Sequence, residues 1–203
     1  PNTILNTILA EELSQFADIL EKSNDFEKDV IALTAKTFKE HSRIIFNGNN
    51  YTDEWVVEAE KRGLLNLRTT ADALPCYIAD KNVKMFEKHH VYTAEEVHSR
   101  YEILMDEYCK TIHIEALTML EMVKKDIYPA VTAYMGDIAG TIDSKKAACA
   151  DIPCEFEIAL LKRLSSLSDN LYKKVQVLEE AVNSTPDDSD IRLEANHCKD
   201  KIF

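Results

Sequence analysis

The chain has 203 residues, with 24 Lys+Arg against 36 Asp+Glu, a formal net charge of −12 and 45% hydrophobic residues. That charge disfavours nucleic acid as a partner, because phosphate binding needs clustered Lys and Arg, and no run approaches the ~18 consecutive apolar residues of a membrane span. Only 4 Gly and 5 Pro occur, where average usage gives roughly 14 and 10, so turns and phosphate-cradling loops are scarce and long helices are expected rather than a sandwich or barrel.

Ile4, Leu5, Ile8, Leu9, Leu13, Phe16 and Leu20 recur at three and four and predict a first helix, capped by Asn2 or Thr3. After a break at Ser23-Asn24-Asp25, the stripe Phe26, Val30, Leu33, Thr37, Ile44 predicts a second helix to about Phe46. Asn47-Gly48-Asn49-Asn50 is the strongest turn signal. Thr52-Asp53-Glu54 reads as a cap with acidic residues in the first turn, and Gly63 as the glycine that ends that helix. Thr69-Thr70 opens a short helix, Ala71 to Ile78, into which Pro75 intrudes. Asp80 caps the next piece, to about His90.

Thr93-Ala94-Glu95-Glu96 is a capping box. It starts the longest stripe, Val97, Tyr101, Leu104, Tyr108, Ile112, Ala116, Met119, Val123, Ile127, about thirty residues or roughly 45 Å. Pro129 is expected to kink or interrupt this helix, which resumes through Val131, Tyr134, Ile138 and Ile142. Asp151-Ile152-Pro153 marks a boundary before the heptad-like stripe Leu160, Leu164, Leu167, Leu171, Val175, Leu178, Val182. Residues Asn183 to Asp188 predict a loop ending in a cap, with Pro186 at the first helical position, before a last helix through Ile191, Ala195, Cys198 and Ile202. The expectation is an all-α chain: long antiparallel helices, about 95–148 and 155–183, in a helical bundle, with shorter helices in the N-terminal half.

Candidate chemistry is sparse. Glu87/His90 and Glu95/His98 each have the i, i+3 spacing by which a helix offers two ligands to one metal, but a di-iron bundle needs the pairs on separate helices with further Glu residues. These lie eight residues apart across the Val91-Tyr92-Thr93 break, so they read as surface and cap-region polar residues. Cys149 and Cys154 with His197 and Cys198 lack the two close pairs of structural zinc, and read as small thiols packed at helix ends. His98 or His113 would be the candidates for a phosphotransfer histidine on a bundle helix, and nothing marks either out. P-loops, nucleophile elbows and dinucleotide fingerprints are absent. The Tyr and Met residues at helical spacing read as core. No catalytic, cofactor-binding or metal-binding residue is therefore expected in this chain. Five scattered Cys fit reduced thiols in a cytoplasmic protein. Pro1-Asn2-Thr3-Ile4 has no basic segment before an apolar run, so no secretory signal is expected here, and the missing initiator Met predicts a piece of something longer.

Several runs carry a resemblance to a family. Pro1-Asn2-Thr3-Ile4-Leu5-Asn6-Thr7-Ile8-Leu9-Ala10-Glu11-Glu12-Leu13 resembles the helix that follows the last catalytic strands of type III glutamine synthetases. Ile45 to Trp55 and Glu58-Ala59-Glu60-Lys61-Arg62-Gly63-Leu64 resemble segments typical of that family. The run Phe86-Glu87-Lys88-His89-His90-Val91-Tyr92-Thr93, continuing through His98-Ser99-Arg100-Tyr101-Glu102, with Ala73-Leu74 ahead of it, resembles the pattern that closes a glutamine synthetase catalytic domain. Ile114-Glu115-Ala116-Leu117-Thr118-Met119 and the helices after it resemble the type III C-terminal extension.

The resemblance implies a parent that joins ammonia to glutamate with ATP and Mg or Mn through a γ-glutamyl phosphate, as a homo-oligomer of stacked hexameric rings. It implies that residues 1–107 end the catalytic domain and that 108–203 form the helical extension, truncated at its C-terminal end. No position here matches a catalytic or ligand residue of the family. The fragment's expected role is thus structural and oligomer-supporting, inactive by itself, with the rest of the same chain as its first partner. The alternative is a free-standing helical interaction or phosphotransfer module.

Overall fold

The computed structural model of the chain describes residues 2–186 and 190–203. It is 79% helical, with no strand among the described residues. Two compact units divide at residues 104 and 105.

In the unit 1–104, α1 (Asn2–Leu20) and α2 (Phe26–Glu40) are the longest elements lying wholly inside it. α1 begins at Asn2, which leaves Thr3 inside the helix rather than capping it. Asp25 caps α2 by accepting from the Lys28 N–H. α2 stops at Glu40, short of Phe46, and the chain tightens into a 3₁₀ turn at Ser42–Ile44. α3 (Asp53–Lys61) follows with Asp53 and Glu54 in its first turn, although the Thr52 side chain makes no capping bond. Gly63 ends it at φ 71°. Its N–H donates to the Glu60 carbonyl at 2.9 Å and the Leu64 N–H to the Ala59 carbonyl at 2.9 Å, the Schellman pair that needs a left-handed residue.

The short helix expected over 71–78 is two pieces. α4 (Thr70–Ala73), capped by Thr69, gives way to a 3₁₀ turn at Leu74–Cys76. Pro75 has no N–H for an α-helical bond, and the tighter turn accommodates it. α5 (Asp80–Lys88) is capped by Ala79, so Asp80 lies in the first turn instead of capping it. α6 (Ala94–Met122) opens on the expected box: the Thr93 N–H donates to Glu96 Oε2 at 2.9 Å and the Glu96 N–H to Thr93 Oγ1 at 3.2 Å. Phe86, Val97, Tyr101 and Ala71 are buried here. The Phe86 ring lies 5.7 Å from Tyr77 and 5.5 Å from Tyr92 in tilted pairs, and the Arg100 guanidinium stands 4.4 Å over Tyr92.

In the unit 105–203, the end of α6 runs through a π turn at Val123–Ile127 into α7 (Tyr128–Ala148), one 55-residue helical path from Ala94. Pro129 does not break it. The Tyr128 N–H reaches back five residues to the Val123 carbonyl, and the wider turn makes room for the proline ring that would collide with a carbonyl in a regular helix. α8 (Glu155–Asn183) returns alongside. Lys145 pairs with Glu157, Ser168 Oγ meets Met135 Sδ at 3.8 Å, and Lys124 pairs with Glu179 at 2.6 Å. The partners move in opposite directions along the two helices, so they are antiparallel. Two apolar clusters sit between them. Ile138, Ile142 and Cys154 pack with Ile158, Leu161 and Leu164 at one end, and Ala116, Leu120, Val123, Val175 and Val182 at the other. Leu167 alone of the α8 leucine stripe is turned out, at 55% exposure. α9 (Ile191–His197) is capped by Asp190, which accepts from the Arg192 and Leu193 N–H groups. Pro186 is therefore not at its first position, and the cap expected at Asp187-Asp188 lies outside the described residues. A second π turn, Cys198–Ile202, ends the chain, with Ile202 packed on the Val175 cluster.

Candidate functional site

Helical spacing alone placed Glu87 with His90 on one face, but His90 is not helical. It sits at φ 53°, its N–H donating to the Glu87 carbonyl at 3.0 Å and the Val91 N–H to the Phe86 carbonyl at 3.0 Å. His90 thus fills the left-handed position of a second Schellman motif and ends α5. Glu95 and His98 are exposed on α6. The four residues weighed for zinc fall at opposite ends of α8. Cys154 precedes its first residue, while His197 Nε2 is 2.7 Å from the Ala181 carbonyl in its last turn. A helix of that length keeps them about 40 Å apart. Cys198 is buried against Cys109, and burial pushes the Cys109 thiol up to about 12. His113 is half-buried beside a shallow hollow shared with Asp106 and Thr185. Among the described residues, no three His, Cys, Asp or Glu converge as a metal site would require.

What the fold does assemble is a surface. α1 is inside out. Thr7, the buried residue of α1 at 4% exposure, shares a face with half-buried Glu11 and Ser14. Leu5, Leu9 and Leu13 face outward at 57–62% exposure, with Ile4, Ile8 and Ile19 also exposed. An amphipathic helix normally turns its apolar stripe to the core and its polar side to water. Here the small polar side, satisfied by the Thr7 Oγ1 bond to the Thr3 carbonyl at 2.8 Å, packs inward. Between α1 and α2 lies an apolar hollow of about 620 Å³, lined by Phe16, Leu20, Val30, Leu33 and Phe38 among others.

A polar latch holds α1 in this orientation. Glu11 Oε2 is 2.7 Å from His89 Nε2 and accepts from Lys88 Nζ at 2.8 Å, while Oε1 accepts from Gln15 at 2.9 Å. Hydrogen bonds from Lys88, Gln15 and His89 hold the Glu11 carboxyl down at about 2. The neighbours His90 and His98 drew notice by spacing, whereas His89 had no motif, because its partner is 78 residues away. No helix among the described residues is long and apolar enough to cross a membrane.

Residues 29–146 match the glutamine synthetase C-terminal domain family. A glutamine synthetase of Butyrivibrio fibrisolvens is 41% identical over 157 residues, covering 77% of this chain and 22% of that protein. A type-3 glutamine synthetase of Dictyostelium discoideum is 33% identical over 151 residues, 71% of this chain and 20% of its own. A glutamine synthetase of Bacteroides fragilis is 21% identical over 206 residues, 98% of this chain and 27% of its own. The chain thus spans between 20% and 27% of the length of these relatives.

Proposed function

The chain belongs to the glutamine synthetase C-terminal domain family, and from that premise we propose that it is the helical C-terminal part of a type III glutamate–ammonia ligase. Residues 1–107 complete the catalytic domain, and 108–203 form the helical extension. The observation that carries this reading is the outward apolar face of α1 in a chain that spans about a fifth of relatives of that name. Leaving Leu5, Leu9 and Leu13 in water forgoes roughly 1.5–3 kcal/mol for each side chain that a covering surface would bury. The rest of the polypeptide, which carries the catalytic sheet in this reading, is the occupant that covers it.

The parent reaction transfers the terminal phosphoryl of ATP to the γ-carboxylate of glutamate, and ammonia then displaces phosphate. Mg or Mn supplies charge neutralisation of phosphate and carboxylate when bound. The side chains of this chain do not fit that group, since no set of three metal-ligating residues converges among those described. No step of the reaction is therefore assigned to them, and their part is to bury, brace and position. The parent works as a homo-oligomer of stacked hexameric rings in the cytoplasm, with neither nucleic acid nor membrane as partner. Five free thiols agree with a reducing compartment.

The test is turnover. The full-length polypeptide, given glutamate, hydroxylamine, ATP and Mg, is expected to form γ-glutamyl hydroxamate, and the 203-residue chain alone is expected to form none. Product from the chain alone, or none from the full-length protein, overturns the reading.

A further inference from the structure

Two of the free thiols meet inside the unit 105–203. Cys109 belongs to the inward stripe Met105, Cys109 and Ile112 of α6 and has no exposed surface. Cys198 opens the π turn that follows α9 and is equally closed off, with Ala195 buried on the same short segment. The pairing is made by two helix faces. Asp106 and His113 stand three and four residues from Cys109 on α6, and Glu194 stands four residues before Cys198, so each set shares a face with its cysteine. Asp106, His113 and Glu194 line one shallow hollow, which sets the two faces opposite each other. Between those faces the Cys109 thiol donates a hydrogen bond to the Cys198 sulfur. His197, bonded to the Ala181 carbonyl, and Ile202, packed on the Val175 cluster, hold the segment against α8. Cys149 and Cys154 lie before the first residue of α8, at its far end, so neither competes for this contact.

We propose that Cys109 and Cys198 form a latent dithiol site, which a small-molecule disulfide oxidises to a bond that pins the segment Ile191–Ile202 to α6. While the segment is closed the pair is inert, because burial raises both thiols and keeps them protonated and out of reach. The segment is short, so its local opening costs less than the opening of α6. Opening exposes Cys198, whose thiolate attacks one sulfur of the reagent R–S–S–R and releases one R–S⁻. The Cys109 thiolate then attacks the Cys198 sulfur of the mixed disulfide and releases the second R–S⁻. The two protons given up by the cysteines pass to the released thiolates. Two protein thiols and one reagent disulfide thus yield one protein disulfide and two reagent thiols, with two electrons moved from protein to reagent. The bond closes a loop of roughly 90 residues, a length at which a crosslink strongly restrains the open state. Under reducing conditions the site stays a dithiol, and the brace forms when the oxidised reagent is in excess.

The test uses the full-length polypeptide, reduced, freed of reductant and incubated overnight in its native state with excess glutathione disulfide. Remaining thiols are alkylated and the protein is digested with trypsin. The peptides Tyr101–Lys110 and Leu193–Lys199 are expected to appear joined, lighter than their sum by two hydrogens. A sample unfolded in guanidinium chloride, where every thiol is open to the reagent, shows that the reagent is active. Cys109 and Cys198 recovered as alkylated thiols, as separate glutathione adducts or joined to other peptides overturn the proposal. Amide hydrogen exchange over Ile191–Ile202 is expected to slow by about tenfold or more in the linked protein and to recover on dithiothreitol. Exchange unchanged by the link overturns the brace. Cys198→Ser and, independently, Cys109→Ser are each expected to abolish the joined peptide and the slowing, whereas Cys76→Ser keeps both. Slowing that survives loss of either buried thiol overturns the assignment to this pair.

Discussion

His90 shows how a single residue changes meaning between spacing and backbone. At φ 53° its side chain leaves the helix face that Glu87 occupies, and its cost is that of a non-glycine residue in the left-handed region. His90→Val places a β-branched side chain there and is expected to destabilise the chain by about 1–2 kcal/mol, while His90→Gly should hold stability or raise it slightly. Urea midpoints of the two variants check this, and equal midpoints would remove the strain argument. The thiols divide on the same local grounds. Cys76 and Cys149 are exposed, whereas Cys109, Cys154 and Cys198 are buried. Burial raises the Cys109 and Cys198 thiols, keeping them protonated and poor nucleophiles. A chromogenic disulfide reagent should titrate two thiols quickly in the native chain and the other three only on unfolding. Fast reaction of a third would contradict the packing around Cys109 and Cys198. None of this was legible in the Cys spacing, because burial is decided by which helix lies opposite.

The elements were legible wherever the signal was local. The box at Thr93–Glu96 and Gly63 as terminator lie within a few residues of their partners and formed as expected, and α8 formed on the period of its own stripe, with Leu167 turned out. Reading failed where a helix could end in more than one way. α2 stopped at Glu40, and Pro129 was absorbed by a π turn that no propensity announces. The link between α1 and α5 is the clearest long-range case. Glu11 ordinarily titrates near 4.5 and is held at about 2 in the fold. A depressed folded value means that the latch stabilises the fold above the unfolded value and loses that effect as pH falls through the folded one. The stability of the native sequence over Glu11→Gln should therefore be constant above about pH 5 and shrink between about 4.5 and 2. Urea midpoints across that range, compared for the two proteins, make the measurement. A difference independent of pH would assign the latch to packing rather than charge.

At the scale of the whole molecule, the chain on its own carries an uncovered apolar face on α1 and an apolar hollow beside it. Exposed contiguous apolar surface associates. The 203-residue chain is expected to self-associate at high concentration, and Leu9→Lys with Leu13→Lys should return it to monomer in light scattering. A clean monomer of the unsubstituted chain counts against the reading of α1 as a covered helix. Periodicity, the dearth of glycine and the caps determined by themselves that this is an all-α chain with two long helices, because those signals act between residues three and four apart. Only the tertiary structure decided that α1 turns Thr7 and Glu11 inward, that Glu11 engages His89, and that Arg62 reaches back to the Ile45 carbonyl. Each of those depends on a partner 17 to 78 residues away, and spacing within one helix holds no information about which distant group will stand opposite.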